Sequence, residues 1–242
     1  MSEPTPAHEA LPAWLLHAID NPPPAPDPEE LARSERHSRF SEMGPIRDRL
    51  PRFLVEPKAP ELRTWIQHPV LLDVALRWTW GSGNVVMLGS TGQGKTSAAG
   101  LLFRRLLRDG WRDGGAAWAN AQGMRWCRAE QLEREMRAHP LGKGECQLYR
   151  DAIGAKLLVL DELGWEQDHK AIASVLAARY DRPNPTIITS GRTMAELRET
   201  YGDAVVRRMV QGGRVVKAFP GLVEPRPPGD QGELARRQGE RL

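Results

Sequence analysis

Two short runs carry residue types and spacings that suit phosphate chemistry. Gly89-Ser90-Thr91-Gly92-Gln93-Gly94-Lys95-Thr96 has the form GxxxxGK[ST], with an apolar run before it and a helical pattern after it. Its glycines let the backbone close around a phosphate chain, so that amide N–H groups and a helix N-terminus face negative charge. In that arrangement Lys95 reaches the β- and γ-phosphates and the Thr96 hydroxyl ligates Mg2+. The second run, Leu157-Leu158-Val159-Leu160-Asp161-Glu162, delivers two carboxylates at the end of an apolar strand, the edge at which α/β folds bind ligands. Asp161 would hold Mg2+ there, and Glu162 would polarise an attacking water. Taken alone, an acidic pair at a strand end also fits a solvated loop start. Its pairing with the loop at 89–96 favours the catalytic reading.

Such groups must be placed by a scaffold. Residues 84–89, 115–121, 156–162, 185–191 and 214–219 read as strands, being short apolar runs bounded by turn residues. Helical patterns alternate with them: the run from Lys95, the charged stretch 124–139, residues 170–180, and two helices on either side of Gly202. Upstream, ELRTWIQ and PVLLDVALRWTW suggest two helices divided at Pro69. This alternation implies an α/β domain, a three-layer αβα unit with a parallel sheet, over residues 61–220. Residues 1–60 hold 12 of the 20 prolines and read as a flexible partner-binding arm. Within it, 11–19 reads as an apolar helix with Trp14, Leu15 and Ile19 on one side, and 27–40 as a polar helix opened by Asp27 and Pro28. A tail with only transient turns is the alternative for the arm. Residues 221–242 read as a polar C-terminal tail.

Composition narrows the class. The 242 residues suit one substantial domain with appendages, or two small domains. No stretch approaches the roughly 20 apolar residues of a membrane span, and the first 20 residues lack the pattern of a secretory signal. Cys127 and Cys146 are the only cysteines and none of the six histidines has ligand spacing, which excludes a disulfide scaffold and a zinc cluster and fits a cytoplasmic location. Formal net charge is +3, with the excess of basic residues in 61–242. That permits contact with nucleic acid without requiring it.

In the order GSTGQGKT, LLVLDELG, PTIITSGRT and YGDAVVRRMVQGGRVV, the chain resembles AAA+ ATPases of the helicase-loader and transposition-helper group, across roughly residues 80–219. The resemblance implies a P-loop NTPase of AAA+ type without a lid domain, using ATP and Mg2+. It also implies ATP hydrolysis at the interfaces of a homo-oligomer, contact with single-stranded DNA, and a replicative helicase as the partner of the arm; a transposase is the alternative partner. The segment VVRRMVQGG is similar to an arginine-finger helix, in which Arg208 aligns best and Arg207 is its neighbour. The group carries a polar sensor at the end of the PTIITS strand, usually TSN or TTN. Here the residues are Thr189-Ser190-Gly191, so Gly191 stands at the Asn position and Ser190 or Arg192 would have to substitute.

Other residues divide between function and packing. Arg125, Trp126, Arg128, Arg134 and Arg137 lie where the resemblance implies contact with single-stranded DNA. Glu130, Glu133 and Glu135 interleave with them and can instead pair along a helix. Trp78, Trp80, Trp111 and Trp118 read as packing. A small-molecule kinase would need an acceptor pocket and an Arg-bearing lid, and neither shows in the sequence. A low-turnover nucleotide-dependent adaptor stays open through Gly191. The stretch 189–208 looks closer to loaders than to transposition helpers, whose DRL-H signature is missing.

Overall fold

A computed structural model describes residues 28–55, 59–140, 142–182 and 184–219. Its centre is a five-stranded sheet of β1 (Val85–Gly89), β2 (Met124–Arg128), β3 (Leu157–Leu163), β4 (Thr186–Ser190) and β5 (Arg214–Ala218), in the order β2-β3-β4-β1-β5. Every pairing is parallel. Parallel sheets need cover on both faces, and the strands meet that need by alternation. Val85, Met87, Leu157, Val159 and Ile187 point into one core, while Val86, Leu88, Leu158, Leu160 and Ile188 point into the other.

The first core is covered by α1 (Pro28–Arg47), α2 (Arg52–Val55), α3 (Ala59–Thr64), α4 (Pro69–Arg77), α5 (Lys95–Asp113) and α6 (Gly115–Gln122). The second is covered by α7 (Ala129–Ala138), α8 (Gln147–Gly154), α9 (His169–Tyr180), α10 (Met194–Tyr201) and α11 (Asp203–Val210). The αβα architecture expected from the alternating pattern is therefore present, and the loop at 90–94 joins β1 to α5 at the C-terminal edge of the sheet.

Three local expectations need correction. Residues 115–121 form α6, not a strand: the alanine-rich run favours helix, and it buries Trp118 and Ala121 against the first core. The strand lies one segment later, at β2, where the charged stretch from 124 to 139 had read as one helix. Met124, Trp126 and Cys127 are buried beside β3 in the register Met124↔Leu157 to Arg128↔Asp161, and the helix starts only at Ala129.

The third concerns the arm. Residues 28–55 do not behave as a tether. Ile46, Leu50 and Leu54 are buried in the first core, and Arg49 donates to the carbonyls of Gln122 (2.8 Å) and Met124 (3.0 Å). The Trp118 indole N–H donates to Glu42 at 3.1 Å. The apolar helix read at 11–19 and the tail read at 221–242 lie outside the described residues.

One connection that sequence patterns did not show holds the N-terminal edge of the sheet. Arg179 of α9 is buried and donates to the carbonyls of Ala152, Ala155 and Pro185 and to the Thr186 hydroxyl, at 2.7–2.9 Å. Burial lowers its pKa to about 10, and the carbonyl dipoles take the place of a carboxylate partner.

The packing of the arm's second half can be measured. A Cβ placed on Gly100 of α5 would lie 2.8 Å from Leu54 Cδ1, so the contact is close. Leu54→Ala should lower the unfolding free energy by about 2–5 kcal/mol in urea denaturation. Phe53→Ala, at a side chain 43% exposed, should change it little. Equal midpoints for the two variants would count against a docked α2.

Candidate nucleotide site

The loop from Ser90 to Gly94 wraps the N-terminus of α5, a 19-residue helix. Gly92 and Gly94 have φ of 85° and 88°, in the left-handed region that side chains avoid. At Gly94 there is a second reason for glycine, since a Cβ would lie 2.3 Å from the Trp65 carbonyl oxygen. The chain before β1 thus clamps the loop from outside, and the Gln67 amide donates to the Gln93 carbonyl at 3.1 Å. Gly89 ends β1, and the Lys95 ammonium donates to the carbonyls of Gly89 (2.7 Å) and Ser90 (2.8 Å). Burial lowers the Lys95 pKa, and the nearby carboxylates of Asp161 and Glu162 work against that shift.

The acidic pair divides by burial. Asp161 is buried; its Oδ1 accepts from the Thr96 hydroxyl at 2.9 Å and from the Thr189 hydroxyl at 2.5 Å. Burial raises its pKa, partly offset by those two hydrogen bonds. Glu162 turns the other way. The β3–β4 register shifts between Leu160 and Leu163, and Glu162 takes φ of 59°, the one positive value at a non-glycine among the described residues. Its backbone N–H bonds the Thr189 hydroxyl at 3.0 Å, leaving the carboxylate exposed, with Arg128 Nε 3.7 Å away.

These groups meet in a cavity of about 320 Å³, lined by the loop, Lys95, Thr96, Glu162, Thr189 and two exposed tryptophans, Trp65 and Trp165. The donor set suits a triphosphate with a hard cation. Asp161 Oδ2 is buried without a hydrogen-bond partner, beside the Thr96 hydroxyl. Among the described residues no cluster of three or more His, Cys, Asp or Glu could hold a metal alone. Asp161 and Thr96 would hold Mg2+ together with phosphate oxygens, which is how that ion usually binds.

Of two further expected site residues, Ser190 lines this cavity with its hydroxyl engaged elsewhere, and Arg208 lies away from it. The Ser190 hydroxyl donates to the Leu163 carbonyl at 2.7 Å and accepts from the Arg192 amide at 3.0 Å, so it is committed to tying the end of β3 to the turn after β4. Thr189, which sequence reasoning passed over, makes the contact with Asp161. The signal was available in strand parity: Thr189 and Asp161 lie on neighbouring strands at the same sheet edge. Arg208 lies at the opposite edge, beside Asn84 and Asn184 ahead of β1 and β4, with its guanidinium 5.5 Å from the centre of the Tyr180 ring. The five residues of β1 span roughly 16 Å between the two edges. Arg208 therefore does not reach the phosphate loop of its own chain.

Of the candidate DNA-facing residues, Trp126 is buried. Arg134 pairs with Glu130 at 3.8 Å, Arg137 with Glu133 at 3.1 Å, and Arg125 donates to the Gln122 and Met124 carbonyls. The acidic neighbours thus do pair along α7. No helix among the described residues is long and apolar enough to cross a membrane.

Residues 67–216 match the family model described as IstB-like ATP binding protein. Among solved structures, the chain is similar to the DnaC helicase loader, with 19% identity, TM-score 0.47 and coverage of 62% of this chain and 86% of that one. It is similar to DnaI at 16% identity and TM-score 0.46, covering 62% and 81%. For AMPPCP-bound DnaA from Aquifex aeolicus the values are 21% and 0.45, covering 62% and 44%. No match is found among curated proteins.

Two substitutions separate binding from fold. Lys95→Ala should abolish nucleotide binding in a titration, because the loop loses its side-chain cation. Asp161→Asn tests the sign of the buried charge. A carboxyl whose folded pKa is raised destabilises the fold as pH rises from its unfolded value through the folded one, so at neutral pH it is a cost. The amide keeps an acceptor for Thr96 and Thr189. The variant should therefore melt at or above the parent's temperature while losing the Mg2+-dependent part of nucleotide affinity; a lower melting point would refute this account.

Proposed function

The chain belongs to the IstB-like ATP-binding protein family, and on that footing we propose that it is an ATP-hydrolysing oligomeric switch that loads a replicative helicase. The observation that carries hydrolysis is the division of labour at the end of β3. Asp161 is buried with one oxygen facing Thr96, and Glu162 is turned outward into the cavity that holds Lys95. Bound Mg2+ would supply charge neutralisation between the phosphates. Glu162 accepts a proton from a water as that water attacks the terminal phosphorus, and the bond to the departing diphosphate breaks. An outward carboxylate with room for water favours hydrolysis over transfer to a bound acceptor.

Arg208 supports assembly. Being at the far edge, it serves only a neighbouring copy, where its charge would stabilise the phosphoryl group in transfer. Engagement of single-stranded DNA is supported by a second cavity, about 750 Å³, bordered by Arg49, Arg52, Phe53, Trp126, Arg128 and Arg134. Arg52 and Arg128 beside the exposed Phe53 ring suit phosphates and an unstacked base, although Glu130 also lines the cavity and Trp126 is buried. Arg128 borders this cavity and also faces Glu162, so a strand lying there would touch a group that touches the catalytic carboxylate. The helicase partner is proposed for the proline-rich N-terminal region on sequence grounds. The family match favours, as a second reading, the same ATPase working with a transposase.

Mixing variants tests the core of this proposal. Glu162→Gln should bind ATP and fail to hydrolyse it, having lost the base but no phosphate contact. Arg208→Ala should bind ATP as the parent does and hydrolyse it more slowly, by roughly 10³ to 10⁵ if it matches GTPase precedents. Combined, the two should recover hydrolysis, because some interfaces then join an intact site to an intact arginine. A co-assembled mixture as inactive as its parts would rule out Arg208 acting between subunits.

A further inference from the structure

A bound triphosphate needs donors at its terminal oxygens, and the hydroxyls at the end of β4 are already committed. Thr189 donates to Asp161 and Ser190 to the Leu163 carbonyl. Gly191 brings no side chain. What stands beside Gly191 is an indole: a Cβ built there would lie 3.8 Å from Trp165 Nε1 and 3.9 Å from Cζ2.

Trp165 is 65% exposed and lines the cavity with Lys95, Thr96 and Glu162. Exposure of so large a ring is not explained by packing, yet its position is defined. Gly164, with φ of 99°, turns the chain sharply after β3, and its N–H is bonded by the buried Glu166 carboxylate at 3.0 Å. The Arg192 guanidinium lies 5.9 Å from the centre of the indole and is itself held by the Gly164 carbonyl at 3.4 Å and by Glu196 at 3.8 Å. The ring is thus clamped from one side, with its N–H edge next to Gly191.

We propose that the Trp165 indole N–H donates a hydrogen bond to the terminal phosphoryl group of a nucleoside triphosphate held by Gly92–Thr96, standing where Gly191 offers nothing. The assignment rests on the triphosphate reading of the cavity. It makes Trp165 a residue that distinguishes tri- from diphosphate, since a diphosphate has no group at that end.

The test uses the full chain with Mg2+, titrated with ADP and with a non-hydrolysable ATP analogue. Trp165→Phe keeps a ring for Arg192 to cover and removes only the donor. It should bind ADP as the parent does and lose tenfold or more in affinity for the analogue, as expected for a hydrogen bond to a charged group. Adding Gly191→Asn, which has room for its Cβ, should restore the preference by supplying an amide donor. An analogue-to-ADP affinity ratio unchanged in Trp165→Phe, whether both affinities hold or both fall, overturns the proposal. Because the readout is binding, a parent chain that binds but does not hydrolyse would refute the ATPase reading and leave this one standing.

Discussion

Burying the Asp161 carboxylate costs the fold free energy that two hydroxyls only partly offset, and much else is arranged around that charge. Thr96 comes from the first turn of α5, Thr189 from the end of β4, and the carboxylate from β3, so one oxygen ties three elements to one point. The partner of that oxygen, Oδ2, is left with nothing to bond. A fold selected for stability alone would have placed an apolar residue there. The same Thr189 hydroxyl accepts from the Glu162 amide, which fixes the turn that sends the second carboxylate outward. Two adjacent acidic residues thus acquire opposite surroundings through a single threonine.

The layer in front of the sheet gives that point its rigidity. α5 carries the phosphate loop at its start and buries Ala98, Ala99, Leu102 and Phe103 along its length. The helices from the proline-rich quarter pack on its other side, with Leu54 closing on Gly100. Residues 46–54 therefore brace the helix that positions Lys95 and Thr96. At the other edge, Arg179 does comparable work by gathering carbonyls from the α8–β3 and α9–β4 connections.

The candidate site was more legible than the geometry. The loop at 89–96 and the pair at 161–162 stood out because phosphate binding would restrict residue type at such spacing, and the fold brings them to one edge of the sheet. Residues 115–121 misled because a short apolar run looks alike in a buried helix and a buried strand. β2 was hidden because arginines on a half-exposed edge strand continue without a break into a charged helix. The mixed fate of residues 1–60 has a similar cause. Prolines disfavour regular structure, although Pro28 opens α1 and Pro45 lies within it, and they say nothing of whether the residues around them, such as Ile46, Leu50 and Leu54, find a surface. The end of β4 required a three-dimensional answer: which of Thr189 and Ser190 faces Asp161 follows from strand parity and register, and the indole beside Gly191 comes from another loop.

The phosphate loop and Arg208 lie at opposite ends of the strands, so an assembly in which Arg208 served the next copy would have a head and a tail. Joined in that sense, copies use two different surfaces, and such contacts either close into a ring or run on as a filament. In a ring every copy both gives and receives an arginine. In an open row, one terminal copy holds nucleotide with no arginine supplied to it, and the other offers an arginine to nothing. The nucleotide at the first of these ends would outlast all the others, so the row would carry a chemical mark of its own direction.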